Sequence, residues 1–323
     1  MSLDKAAGEV DAALTRTEKT GLGYENVFAG VTSFLRRRLT KDLSGFDLAV
    51  TGIPFDQAVT NRPGARFGPR AIREASAGMA GDPPYGWGFS PLDEFAIADY
   101  GDMAFDYAKL FEVPKLIEAH IGGILDAGTD CIALGGDHST TLASLRAHVA
   151  RRGPVALLQF DAHPDTWLDD DPARVDHGTF VYKAVREGLI DPDHSLQVGT
   201  RIDVEDEPDL GLMRIGADRV HSEGPEAVAA QIRARIGDAP TYLTFDIDAF
   251  DPAFAPGTGT PVWGGLTSPQ VRAILRQMAG ITMVGADVVE VSPPFDHAGV
   301  TALMGAHVAY ELISIWAWNR RAA

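Results

Sequence analysis

Short apolar runs alternate with amphipathic stretches along most of the chain. Runs at residues 48–53, 131–134, 155–160, 196–198, 242–245 and 281–284 are too brief for helices and are predicted as strands. Stretches at 113–125, 140–151, 225–236 and 268–278 carry their apolar residues at helical spacing. Unbroken apolar strands suit a sheet buried on both sides, so this alternation predicts an α/β fold: a parallel sheet covered by helices on both faces. The most apolar tract, 302–318, is interrupted by His307 and Glu311 and reads as a buried amphipathic helix, short of a membrane span. No linker or repeat divides the chain. Residues 1–45 are expected to form an N-terminal arm, and 46–323 a single catalytic domain. Polar clusters follow the ends of the apolar runs, where ligands bind in open α/β sheets.

Four of these ends stand out. Cys131-Ile-Ala-Leu runs into Gly135-Gly-Asp-His-Ser139. Residues 155–160 lead to Asp161-Ala-His-Pro-Asp165. Residues 242–245 lead to Asp246-Ile-Asp248, then Asp251-Pro252, and Gly285-Ala-Asp-Val-Val-Glu290 closes the last run. Asp161, His163 and Asp165 are spaced by two, so on an extended strand end they share a face and converge; Asp246 and Asp248 repeat the pattern. With His138 they make four carboxylates and two imidazoles, too many for one metal but suited to two metals sharing carboxylates. Without cations, such a cluster at sheet ends would be costly. Asp137 and Asp251 read equally well as helix-cap or turn residues. His120, His148, His194, His221, His297 and His307 show no ligand spacing and read as packing or surface residues.

Composition narrows the chemistry. Of 323 residues, 28 are Lys or Arg and 45 Asp or Glu, a net charge of −17, which disfavours nucleic acid and anionic membrane as partners. One cysteine, Cys131, excludes an internal disulfide and any thiolate-rich metal site. The first twenty residues are polar and acidic with no apolar signal core, so a cytoplasmic protein is expected. An oxygen-rich ligand set with some imidazole suits Mn²⁺, with Co²⁺, Ni²⁺ and Zn²⁺ still open. Two divalent ions about 3.5 Å apart bridge a water and lower its pKa, supplying hydroxide as nucleophile. Two divalent ions, four carboxylates and the hydroxide leave such a pocket with a net charge of −1, or −2 with Glu290 beside it. A cationic electrophile such as a guanidinium is therefore favoured over a phosphate ester. His177, in Asp176-His-Gly-Thr-Phe180, is a candidate proton shuttle for the departing amine.

These motifs resemble the ureohydrolase (arginase and agmatinase) family, and within it the agmatinases. The resemblance runs from about Val50 to the C-terminus. It includes Gly52-Ile-Pro-Phe-Asp, Arg62-Pro-Gly-Ala-Arg-Phe-Gly-Pro-Arg-Ala-Ile-Arg-Glu-Ala-Ser76, Gly135-Gly-Asp-His138 and the Asp161 triplet. The stretch from Thr244-Phe-Asp-Ile-Asp248 through Asp251-Pro-Ala-Phe-Ala-Pro-Gly-Thr-Gly-Thr-Pro261 is its most specific part. The resemblance implies a three-layer α/β/α sandwich and two Mn²⁺ per subunit. One would be held by His138, Asp161, Asp165 and Asp246, the other by Asp161, His163, Asp246 and Asp248, with Asp161 and Asp246 bridging. Asp165 would also orient the hydroxide, His177 shuttle a proton and Glu290 grip the guanidinium, in a homo-trimer or homo-hexamer. The segment 62–76 would be structural and pocket-edge.

The implied reaction converts a guanidino compound to urea and an amine. The loop after the Asp161 triplet, Thr166-Trp-Leu-Asp-Asp-Asp-Pro-Ala-Arg-Val-Asp176, lacks the Ser/Thr/Asn pattern with which arginases read an amino-acid end, which points to agmatine instead. Its acidic run Asp169, Asp170 and Asp171 is a candidate partner for agmatine's distal ammonium. Pro164 and Phe250 depart from the family pattern and leave guanidinobutyrate or guanidinopropionate as alternative substrates. A single-metal deacetylase on a related fold needs neither His138 nor Asp248, both present here. A non-catalytic homologue would not be expected to keep all six ligands with His177 and Glu290.

Overall fold

The computed structural model describes residues 10–322; the first nine residues of the expected N-terminal arm and the last residue lie outside it. Nine strands form one sheet among the described residues: β1 (Arg38–Leu39), β2 (Leu48–Gly52), β3 (Ile97–Asp102), β4 (Asp130–Leu134), β5 (Ala156–Phe160), β6 (Leu196–Val198), β7 (Met213–Ile215), β8 (Thr241–Asp246) and β9 (Met283–Val289). Their order is β1-β3-β2-β4-β9-β8-β5-β6-β7, and every pairing is parallel. All strand ends of one sense therefore lie along one edge.

Alternation along the strands builds the layers. Leu48, Val50, Ile132, Leu134, Leu158, Phe160, Leu243, Phe245, Ala286 and Val288 face one apolar cluster, which also takes side chains from the helices Gly68–Ser76, Pro225–Ile236, Ser268–Arg276 and Val300–Ala322. The residues between them face the other side. Ala49, Cys131 and Ala133 pack on the helices Val113–Asp126 and Thr140–Arg152, while Leu157, Tyr242 and Val284 pack beside Phe180–Arg186. The result is the three-layer α/β/α sandwich.

Three strands were not apparent from hydropathy. β1 and β7 are two and three residues long, and β3 carries Asp99, Tyr100 and Asp102. Asp99 is buried because Arg73 pairs with it at 2.8 Å and the Phe34 amide donates to it at 2.7 Å. The last strand, expected at 281–284, runs instead over Met283–Val289, because Asp287 in its middle is satisfied by buried hydroxyls. Within residues 10–45, Phe34 and Leu35 are buried in the large cluster and β1 extends the sheet against β3. The helix Val300–Ala322 is long and apolar enough to cross a membrane, but most of it is buried in the fold, with Trp316 donating to the Met283 carbonyl at 3.1 Å.

Candidate metal centre

Register brings the four motifs together. Phe160 pairs with Phe245, Phe245 with Val288, and Leu134 with Val288, so Gly135, Asp161, Asp246 and Val289 follow at one level. β4 and β5 are consecutive in sequence but separated in the sheet by β9 and β8. The strand order thus changes direction between them, and a crevice opens at their carboxyl ends. Gly136 has no room for a side chain, because a Cβ there would collide with the Phe55 backbone. Its carbonyl accepts the Glu290 amide at 2.8 Å, which ties β4 to β9.

Six side chains converge there. His138 Nδ1 lies 3.0 Å from Asp161 Oδ2, 3.0 Å from Asp165 Oδ2 and 3.2 Å from Asp246 Oδ2. His163 Nδ1 lies 3.1 Å from Asp248 Oδ2 and 3.5 Å from Asp161 Oδ1. Two donor sets follow, His138–Asp161–Asp246 and Asp161–His163–Asp248, each with its ligand atoms within 4.8 Å of one another and with Asp161 common to both. Asp165 adds to the first set; Asp246 belongs to the first and meets the second through its backbone link to Asp248.

The carboxylates divide their oxygens. Asp246 Oδ1 accepts the Asp248 amide at 2.8 Å and Asp248 Oδ1 the Ala162 amide at 3.0 Å, leaving each Oδ2 for the centre. Asp161 accepts the His163 amide at 2.7 Å and the Gln159 side-chain amide at 2.7 Å. Gln197 in turn donates to Gln159 Oε1 and to the Pro164 carbonyl, both at 2.6 Å. Asp165 and Glu290 both sit in the left-handed region, at φ 52° and 62°. Non-glycine residues rarely adopt it, and such strain concentrates where a side chain must be aimed.

His138 supplies the sharpest indication of what the cluster holds. Its Nε2 contacts Thr244 Oγ1 at 2.8 Å, and the Thr244 hydroxyl donates to Asp287 Oδ1 at 2.5 Å. A hydroxyl has one proton, so Thr244 must accept from His138, and Nε2 carries the hydrogen. Neutral His138 then turns a bare Nδ1 lone pair toward three carboxylates, and that buried atom has no hydrogen-bond partner. Lone pair facing anion is repulsive unless a positive charge lies between them, either a metal ion or, without one, a proton on Nδ1 itself. Burial opposes a charge on His138 and His163, yet the carboxylates win: His138 is raised well above the usual imidazole range and His163 up to about 12 by Asp248 and Asp161. Burial, with Asp161 nearby, pushes Asp165 up to about 6; burial with Asp248 and Asp161 raises Asp246. Asp161, though buried, is held below the ordinary carboxylate range by His138 and His163. The donor set fits divalent cations: hard oxygens, two imidazoles, and more negative charge than the interior neutralises.

His177 and Glu290 form a second unit beside the cluster. His177 Nδ1 lies 3.0 Å from Glu290 Oε1, which also accepts the His138 amide at 2.9 Å. Thr60 contacts His177 Nε2 through its hydroxyl at 3.0 Å. Burial opposes the His177 cation, but Glu290 outweighs it and raises the imidazole to about 9. Glu290 Oε2 is buried without a partner. A cavity of about 510 Å³ opens onto Thr60, His163, Asp165, His177 and Asp246, with Trp167, Leu168, Arg174, Asp176 and Ile202 also in its lining.

Several expected roles change place. Asp169 pairs with Lys183 at 2.7 Å, Asp170 accepts from the Tyr182 hydroxyl at 2.7 Å, and the Asp171 carbonyl accepts from Lys183 at 2.9 Å. None of the three lines the cavity, so this acidic run pins its loop to the helix Phe180–Arg186. Pro164 and Phe250 also lie off the lining, Phe250 being buried against Phe245. Asp137 takes the Ala58 amide at 2.9 Å and the Ser139 amide at 3.0 Å, and Asp251 caps the turn at Ala253, Gly264 and Gly265. Thr60, Gln159 and Asp287 escaped the sequence reading. Gln159 and Asp287 each left a trace there, as a polar residue among apolar neighbours.

The comparisons with known proteins bear on the family and the fold. The arginase family matches residues 46–314. An agmatinase from Chromobacterium violaceum is 49% identical over 306 residues, 94% of each chain. The crystal structure of a hypothetical agmatinase from Burkholderia thailandensis has a TM-score of 0.94 at 48% identity, covering 97% of this chain and 99% of that one. Proclavaminate amidino hydrolase from Streptomyces clavuligerus has a TM-score of 0.85 at 36% identity, covering 91% and 100%. The family match spans β2 to β9 and all four strand ends that carry the cluster, and the chain belongs to the arginase family.

Proposed function

We propose that this protein is a cytoplasmic ureohydrolase that uses two Mn²⁺ ions to cleave a guanidino group, with agmatine as substrate and putrescine and urea as products, a step of polyamine biosynthesis. The observation that carries the reading is the buried six-residue cluster in which His138 Nδ1 faces three carboxylates. The high identity to a named agmatinase supports agmatine in particular. In this reading residues 46–323 are the catalytic domain, residues 1–45 an arm, and the chain works as a homo-trimer or homo-hexamer.

His138, Asp161, Asp165 and Asp246 would hold one ion, and Asp161, His163, Asp246 and Asp248 the other. When bound, the metal pair would acidify water and supply hydroxide as the nucleophile. Asp165 orients the attacking oxygen through the carboxylate that its left-handed backbone aims inward. Glu290 Oε2 accepts from the guanidinium, while its Oε1 holds His177 by Nδ1. His177, held protonated at neutral pH by that contact, shuttles a proton to the departing amine. These groups act by placement and by a field set before substrate arrives.

Arg174 in the cavity lining is the observation that favours a second reading, a guanidino acid such as 4-guanidinobutyrate or guanidinopropionate. Urea release by the Mn²⁺-loaded protein from agmatine, arginine and the two guanidino acids tests both. Agmatine should have the highest kcat/KM; no urea from any of them would overturn the assignment.

A further inference from the structure

The cavity lining holds a second chemistry. With the proposed metal ligands and His177 set aside, its charged lining residues are Asp176 and Arg174. They are not equivalent. Asp176 is anchored: its Oδ1 accepts the Gly178 amide at 2.9 Å, and its side chain is only 17% exposed. Arg174 is a half-exposed side chain, 58% accessible, resting on Asp176 Oδ2 at 2.9 Å. An exposed pair of this kind is weak and exchanges readily for another cation.

Trp167 completes the arrangement. Its amide donates to the Gly178 carbonyl at 3.1 Å, clasping its loop to the segment that carries His177. Its ring lies against Gly178, where an added Cβ would meet Trp167 Cε3 at 3.1 Å; a larger residue there would displace the indole. The indole remains 36% exposed and lines the cavity, and an indole face is the strongest side-chain attractor of a cation among the aromatics. The nearby acidic run lies off the lining and is engaged by Lys183 and Tyr182, with Arg174 Nε also 3.9 Å from Asp169. Beyond the proposed metal ligands, Asp176 is therefore the carboxylate that lines the cavity.

We propose that Trp167 and Asp176 form a tail-reading subsite for a primary ammonium, and that Arg174 is the placeholder the ammonium displaces. The inference rests on the guanidino-hydrolase reading and names the substrate class within it: a guanidine at the metal end and a cation at the other. A carboxylate tail would gain Arg174 but meet Asp176 and the electron-rich indole face.

Three guanidines of matched length separate the possibilities: agmatine with an ammonium tail, 4-guanidinobutyrate with a carboxylate, and 1-butylguanidine with neither. Butylguanidine turnover reports the metal end alone, and the ratio of agmatine to butylguanidine reports the tail. In the Mn²⁺-loaded enzyme, Asp176→Asn, which keeps the acceptor for Gly178, should lower kcat/KM for agmatine at least tenfold more than for butylguanidine, through KM. Trp167→Leu should act in the same sense, and Arg174→Ala should lower the agmatine KM. Equal losses on agmatine and butylguanidine would mark these residues as structural and overturn the subsite while leaving guanidine hydrolysis intact. A wild-type preference for 4-guanidinobutyrate over agmatine would overturn it as well.

Discussion

Replacing Asp287 by Asn should weaken metal binding without touching a ligand. Asp287 Oδ2 accepts from Thr141 Oγ1 and the Tyr242 hydroxyl, both at 2.8 Å, and Oδ1 accepts from Thr244. An asparagine can keep only one oxygen. Holding it at the Oδ2 position preserves two hydroxyl hydrogen bonds, each worth about 1 kcal/mol net, against one for the opposite flip. The amide nitrogen then faces Thr244 and donates to its oxygen, so the Thr244 proton turns to His138 Nε2. His138 must move its own hydrogen to Nδ1, the atom facing Asp161, Asp165 and Asp246. A metal bound there has to reverse that switch. Groups behind a ligand typically contribute ~10–100-fold in metal affinity, about 1.4–2.7 kcal/mol, and the loss should fall in that range at one of the two sites. Equilibrium dialysis with metal analysis gives the affinities. Wild-type affinity at both sites would refute the relay.

Three further outcomes are expected. His177→Ala should slow turnover by ~10²–10⁴-fold, the range for a lost general acid, while metal content stays unchanged; unaltered kcat would remove it from proton transfer. His148 is buried beside Tyr242, and burial, with Arg152 and Arg151 adding to it, lowers its imidazole to about 4 from the ordinary 6.5. The unfolded chain therefore binds the extra proton between those values. Its contribution is complete above about pH 6.5 and lost as pH falls toward 4, on the order of 3 kcal/mol, so urea denaturation of His148→Leu should show a shallower pH slope than wild type across that window. Gly285→Ala places a Cβ against His148 and 2.8 Å from Tyr242 Cδ2, and should destabilise by about 1–3 kcal/mol in thermal or urea melts.

The ligand cluster was legible because its signal is local: donors spaced by two after an apolar run need only an extended strand end to converge. The strands that bear them are buried on both faces and read as continuous apolar runs. β3 was hidden for the opposite reason, since Asp99 is buried through Arg73, a partner 26 residues away that no window reveals. The acidic run at Asp169 misled for the same cause: its cation, Lys183, lies on the following helix. Asp287 is the clearest limit. Its role depends on Thr141, Tyr242 and Thr244 from three elements, and on which oxygen each hydroxyl meets. Trp167 and Arg174 in the cavity lining are likewise set by tertiary contacts, Trp167 seated on Gly178 and Arg174 folded back on Asp176.

Metal stoichiometry tests the central claim most directly. Active protein purified with Mn²⁺ should carry two ions per chain by elemental analysis, with two anomalous peaks among His138, Asp161, His163, Asp165, Asp246 and Asp248, and Asp246→Ala should lose both metal and activity. Full activity with a single ion per chain, or with none, would contradict it.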